Sequence, residues 1–182
     1  MPFETESSHQ VFQGKVFDVR QDQVRMPDGK LVRLDVVDHS NSVTLIPLDE
    51  QGTIWFVHQY RHPAGQELFE LPAGVCEKGE QAEVAARREI REEIGMAAGN
   101  LELVGEFYLA PGYSTEYMYV FLATDLQEDP LPGDEDEDIR VEKLDIAEAL
   151  RRAETGELYD AKSIAALFLA RTRLEESKDL GE

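Results

Sequence analysis

Three glutamates, Glu89, Glu92 and Glu93, fall at i, i+3 and i+4 within Gln81 to Ile94, a stretch with no Gly or Pro. At about 100° per residue a helix places the three carboxylates on one surface. Ala82 and Ala85 share that surface, and Ala86, Ile90 and Ile94 form an adjoining apolar stripe. Each like-charge pair at this spacing costs about 0.2–0.5 kcal/mol in an isolated helix. A bound divalent cation reverses that penalty, and the small alanines leave room for it and its hydrated ligands. The bland alternative is a solvated acidic face, natural enough in a chain with 18 basic and 38 acidic residues and a net charge of −20.

The surrounding elements must hold that helix in place. From His9 to Asp38 the chain reads as short strands, with the Asp28-Gly29 pair marking a hairpin. SVTLIPLD and TIWFVHQYR follow as two strands, the first well buried. LFELPAGVCEKGE, with one Pro and two Gly, reads as a loop. The central helix stops at Gly95. LELVGEFYLA and EYMYVFLATDL form two more strands around PGYST; then come an acidic loop, a short strand IRVEKLD and two closing helices. Strands interrupted by one helix and closed by two predict an α+β fold. The expected division is a small β region over residues 1–40 and a main domain over residues 41–182.

Composition narrows the function. A strongly acidic chain is repelled by nucleic-acid backbones and anionic membranes, so neither is an expected partner. A core of this size buries about 70% of the unfolded surface without a metal staple or disulfide. One cysteine, Cys76, excludes an internal disulfide and suits a reducing compartment. The first ten residues carry no apolar run and no stretch approaches about 20 apolar residues. A cytoplasmic protein is the expectation.

The segment ahead of the helix decides between a metal site and a solvated face. Gly74 is followed by five residues and Glu80, then by seven residues and Arg88-Glu89-Ile90-Arg91-Glu92-Glu93-Ile94-Gly95-Met96. Seven fixed letters at about 7% usage each coincide by chance in roughly one window in 10^8. This resembles the Nudix box, G-x5-E-x7-R-E-U-x-E-E-x-G-U with U apolar, at every position. The resemblance implies an α/β/α sandwich with a mixed sheet, a loop–helix–loop catalytic motif and hydrolysis of a nucleoside diphosphate linked to another moiety. It implies Mg²⁺ or Mn²⁺ on Glu89, Glu92 and Glu93 with the backbone carbonyl of Ala73, a hard oxygen set. It also pairs Arg88 with Glu80. A metal bridge explains how so acidic a chain can hold a pyrophosphate.

Flanking segments resemble the ADP-ribose and sugar-nucleotide branch of that family. In HQYRHPAGQELFELPAG the likeness implies substrate contacts from Arg61, on a phosphate, and from Glu70. Pro111, in APGYSTE, resembles the mark of ADP-ribose pyrophosphatases, with Glu116 near the terminal ribose. GDEDEDIRV resembles the acidic loop supplying the general base, which places the base at Glu135 and a further metal ligand at Glu137. Glu92 and Arg88 complete the expected catalytic set. Where some relatives stack adenine on tryptophan, this chain has Leu34, leaving Phe12, Phe17 and His39 as candidate base contacts. The expected activity is cleavage of ADP-ribose or a related nucleoside diphosphate sugar. The alternatives are a preference for GDP-mannose or UDP-glucose, or an ADP-ribose sensor without turnover. The resemblance further implies a homodimer whose N-terminal strands complete the partner's site.

Overall fold

The computed structural model describes residues 2–133 and 138–179. The chain divides into two compact units: Met1–Asn41 with Tyr108–Tyr117, and Ser42–Phe107 with Met118–Glu182. In the first, β1 (Glu4–Gln13), β2 (Phe17–Arg25) and β3 (Leu31–His39) form an antiparallel sheet in that order. β1 starts at Glu4, ahead of the expected His9, and every residue in it is exposed. Its side chains therefore carry no alternation to read. The segment Tyr108–Tyr117 joins β3 through Val37, whose amide donates to the Tyr113 carbonyl at 2.7 Å and whose carbonyl accepts from Thr115 at 3.0 Å.

The second unit holds two sheets. One runs β10-β5-β6, from β10 (Ile139–Asp145), β5 (Thr53–Arg61) and β6 (Gln66–Glu70). The other runs β7-β4-β9-β8, from β7 (Ala73–Val75), β4 (Ser42–Pro47), β9 (Tyr117–Glu128) and β8 (Met96–Tyr108). β4 lies parallel to β9, from Ser42 against Met118 to Pro47 against Ala123, and antiparallel to β7, so the sheet is mixed. All six residues of β4 are buried. Val43 and Leu45 point to one core with Ala85, Ala86 and Ile90 of α1 (Ala82–Glu93). Ile46 points to the opposite core, with Leu150 of α2 (Ile146–Thr155) and Leu167 and Leu174 of α3 (Ala161–Asp179). Period-two alternation on a strand covered on both faces yields the expected α/β/α sandwich. Among the described residues no helix is long and apolar enough to cross a membrane.

The stretch expected as a loop before α1 contains β6 and β7. Its Pro72 and Gly74 do punctuate the chain, but pairing of β6 with β5 and of β7 with β4 overrides their local preference. Helix ends follow ordinary capping. Gly95, at φ 72°, takes the left-handed conformation after α1. Asp145 caps α2 by accepting from the Glu148 amide at 2.9 Å. Asp160 does the same for α3, accepting from Ser163 N at 3.0 Å.

α3 is tied to the sheet by a buried ion cluster. Glu70, 1% exposed, accepts from Arg61 through Nε at 2.9 Å and Nη2 at 2.8 Å, and is in direct contact with Lys162 Nζ. Beside it the Ser163 hydroxyl receives the Leu71 amide at 2.7 Å. Burial pulls the Glu70 pKa up, but Arg61 and Lys162 outweigh it and hold the carboxylate below its ordinary 4.5. A depressed folded-state pKa means that the cluster's stabilisation is complete above about pH 4.5 and fades as pH falls through the folded value. Glu70→Gln should therefore lower stability by about 3 kcal/mol at neutral pH, since it strands two cations. In thermal unfolding, the Tm gap to wild type should narrow as pH falls below the ordinary 4.5 and through the lowered folded-state value. A gap constant over that range would show that the charge on Glu70 contributes nothing.

Candidate active site

α1 carries its acids where local electrostatics oppose them. Glu89, Glu92 and Glu93 lie in the last turn and a half, at the negative end of the helix macrodipole, and Glu89 and Glu93 are each only 9% exposed. Arg88 offsets this arrangement. Its Nη1 donates to Glu89 at 2.7 Å and to Glu92 at 2.8 Å. Its Nε and Nη2 form a fork on Glu80, at 3.2 and 3.0 Å, and Nη2 also reaches the Val75 carbonyl at 3.1 Å. Hydrogen bonding to Glu80, ahead of the charges of Glu89 and Glu92, raises the guanidinium pKa further above its already high value. Glu80 in turn is held below the usual carboxylate range by Arg88.

The strand side of the site is shaped to receive these carboxylates. A Cβ on Gly74 would overlap the Glu89 carboxyl group, so only glycine lets that side chain lie against β7. One residue earlier, the Ala73 amide donates to Glu93 Oε2 at 3.1 Å. Pro72, before that, is fixed by its carbonyl, which accepts from Leu45 N at 2.8 Å and Thr44 Oγ1 at 3.2 Å. β4, β7 and α1 therefore hold Ala73, Glu89 and Glu93 together, with Glu92 and Arg88 on the same helix. Among the described residues no three His, Cys, Asp or Glu side chains form a ready-made metal cage, and the box oxygens of Glu89 and Glu92 converge on Arg88. Clustered hard oxygens beside a glycine cradle nevertheless fit a divalent cation of the Mg²⁺ type.

The other expected residues fall into three groups. Arg61 and Glu70 lie in the second unit, and Glu93 contributes to the field that raises the Arg61 pKa, after the larger effect of Glu70. Glu70 is buried beneath Arg61 and Lys162, so its carboxylate binds those cations. His39, Pro111 and Glu116 lie in the first unit: Pro111 opens a turn closed by Ser114 N on Ala110 O at 2.9 Å, and Glu116 stands 3.9 Å from His39 Nδ1. Glu135 and Glu137 lie outside the described residues. The start of their loop is anchored, however. Arg91 donates to the Asp129 carbonyl at 3.1 Å, Leu131 N to Arg91 O at 3.1 Å and Asp129 N to Gly95 O at 3.0 Å.

Several neighbours have no counterpart in the sequence reading. No pattern along the chain marks Lys162 or Asp160. Trp55 is half-buried, with its Nε1 on Asp49 at 2.9 Å and Lys143 3.5 Å above the ring. Desolvation pushes the buried Cys76 thiol pKa up, which keeps it protonated and unsuited to nucleophilic attack.

Gly74→Ala tests the cradle directly. The added methyl displaces Glu89 without touching the main core, so turnover should fall by about a hundredfold while Tm changes by only a few degrees. Steady-state kinetics and thermal unfolding of the same preparation measure both. Turnover within about twofold of wild type would show that the Glu89 position is not critical.

Comparison with known proteins agrees with this geometry. The NUDIX domain model matches residues 38–167, and the nucleoside diphosphate sugar hydrolase N-terminal domain model matches residues 3–33. The chain is 41% identical to an ADP-ribose pyrophosphatase of Mycobacterium tuberculosis, over 91% of this chain and 82% of that protein. It is 38% identical to an ADP-ribose pyrophosphatase of Bacillus subtilis, over 90% and 89%. The crystal structure of an ADP compounds hydrolase superposes with a TM-score of 0.86 at 22% identity, covering 97% and 96% of the two chains, and so shares the fold. With a box gathered on Arg88, a glycine cradle for Glu89 and a family model spanning most of its length, the chain belongs to the Nudix hydrolases.

Proposed function

We propose that this hydrolase cleaves the pyrophosphate bond of ADP-ribose or a closely related nucleoside diphosphate sugar, releasing a nucleoside monophosphate and a sugar phosphate. The observation that carries the reading is the seating of Glu89 on Gly74, with Glu92 and Glu93 beside it, in a chain so similar to two ADP-ribose pyrophosphatases. Glu89, Glu92, Glu93, the Ala73 carbonyl and Glu137 would hold a divalent cation, Mg²⁺ or Mn²⁺, which would supply charge neutralisation at the phosphates. Arg88 holds Glu80, Glu89 and Glu92 close together. Arg61 presents a planar cation to a phosphate. Glu135 takes the proton from the attacking water. The new bond joins water oxygen to phosphorus, and the bond to the bridging oxygen breaks, leaving the second phosphate as a monoester.

Glu116, with His39 beside it beyond the Pro111 turn, is proposed as a ribose contact. A homodimer formed through β1–β3 is supported by the apolar side chains exposed there, Val11, Phe12, Phe17, Leu31 and Leu34. A cytoplasmic location is supported by the single free thiol, Cys76, which suits a reducing compartment.

Two substitutions separate ligand from base. Glu93→Gln should cut ADP-ribose turnover by about two orders of magnitude or more, with weaker Mn²⁺ binding and a Tm that holds or rises slightly without metal. Glu135→Gln should lower kcat strongly while leaving KM and Mn²⁺ affinity near wild type. Normal kcat in Glu135→Gln with a low kcat in Glu137→Gln would move the base to Glu137. Good hydrolysis of nucleoside triphosphates, with no sugar nucleotide cleaved, would overturn the substrate reading and leave the reaction class intact.

A further inference from the structure

The buried cluster behind Arg61 bears on substrate binding as well as stability. Arg61 keeps 37% of its side chain exposed, whereas Glu70 is sealed at 1% and Lys162 at 9%. A carboxylate gripped at both oxygens by Arg61 alone would neutralise that guanidinium, leaving a dipole and no net cation for a phosphate. Here Glu70 is shared: Arg61 grips both oxygens, Nε on Oε1 and Nη2 on Oε2, and Lys162 adds a second cation on Oε2 from α3. Lys162 also meets Asp160 at 2.9 Å. The Asp160 charge is itself taken up by the Ser163 amide at 3.0 Å and hydroxyl at 2.5 Å, at the positive end of α3. Counted together, the four side chains balance, but the balance is spatially ordered. The helix end takes part of the Asp160 charge and Lys162 shares that of Glu70, so Arg61, the exposed member, keeps net positive charge, within the field of Glu93 and Asp160.

We propose that Lys162 is a positioning residue for pyrophosphate binding: by serving as counter-ion to Glu70, it leaves Arg61 both fixed in orientation and net positive toward a substrate phosphate. The inference rests on the reading of Arg61 as a phosphate contact and adds the residue that makes that contact effective. Lys162 touches no substrate. Its influence runs through one shared carboxylate.

The test uses the full chain, Mg²⁺ and ADP-ribose. Lys162→Met keeps the length and removes the charge, so KM should rise about tenfold with kcat within about threefold of wild type. Lys162→Arg should restore most of the KM. Adding Glu70→Gln to Lys162→Met removes the carboxylate that now neutralises Arg61, so KM in this double variant should return toward wild type; it also relieves the unbalanced buried charge should Lys162→Met fold poorly. A brace for α3 alone would lower Tm without moving KM, and no second-site recovery of KM would follow; either result overturns the proposal. Arg61→Gln separates the underlying reading: an unchanged KM there removes Arg61 from the phosphate site and the proposal with it. If Arg61→Gln raises KM but Lys162→Met does not, only the role of Lys162 falls.

Discussion

The site depends on holding like charges together against their repulsion. Three carboxylates on one and a half turns, at the unfavourable end of a helix and with Glu89 and Glu93 buried, would separate if left alone. One guanidinium holds Glu89 and Glu92, and the Ala73 amide holds Glu93. Arg88 reaches Glu80, Glu89 and Glu92 with three nitrogens, and its planar fork does what an ammonium could not. The missing side chain at Gly74 supplies the space. Charge from the helix and space from the strand are two halves of one device, and the spacing of the box is the distance in sequence between them.

The rest of the second unit exists to hold those halves in register. β4 is buried on both faces, so its alternate residues anchor α1 on one side and α2 and α3 on the other. Pairing of β4 with β7 sets the position of Ala73 and Gly74, and packing of Ala85, Ala86 and Ile90 onto Val43 and Leu45 sets the rotation of α1. A change of one residue in either register would turn the carboxylates away from the cradle. On the opposite face the Arg61–Glu70–Lys162 cluster fixes the strand that leads into the box.

How much of this was legible in the sequence follows from the range of the forces involved. α1 was legible because its period, its Gly95 stop and its charged face are local properties. So were α2 and α3, with Gly156 ending the first of them, and the buried character of β4. The box residues could be named because their spacing is a pattern along the chain. β7 is not legible because a three-residue strand owes its existence to β4, about thirty residues earlier, nor is the start of β1, because an exposed strand shows no alternation. Lys162 was invisible for a related reason. Nothing in AKSIAALFLA shows that one lysine faces inward, since its partner Glu70 is remote in sequence and meets it only when α3 packs on the sheet.

The parallel pairing of β4 with β9 has a consequence for the order in which the protein comes into being. Ser42 must wait for Met118 before its strand is flanked on both edges, and the whole Nudix box lies inside that span. Closing so long a loop exacts chain entropy before any contact between the two strands returns it, which makes parallel, non-local pairing a slow event. A ribosome-bound chain that has emerged only through Met96 already owns every box residue but lacks the neighbour that completes its sheet. Its catalytic geometry is completed late, once synthesis has passed β9, the second strand after the box.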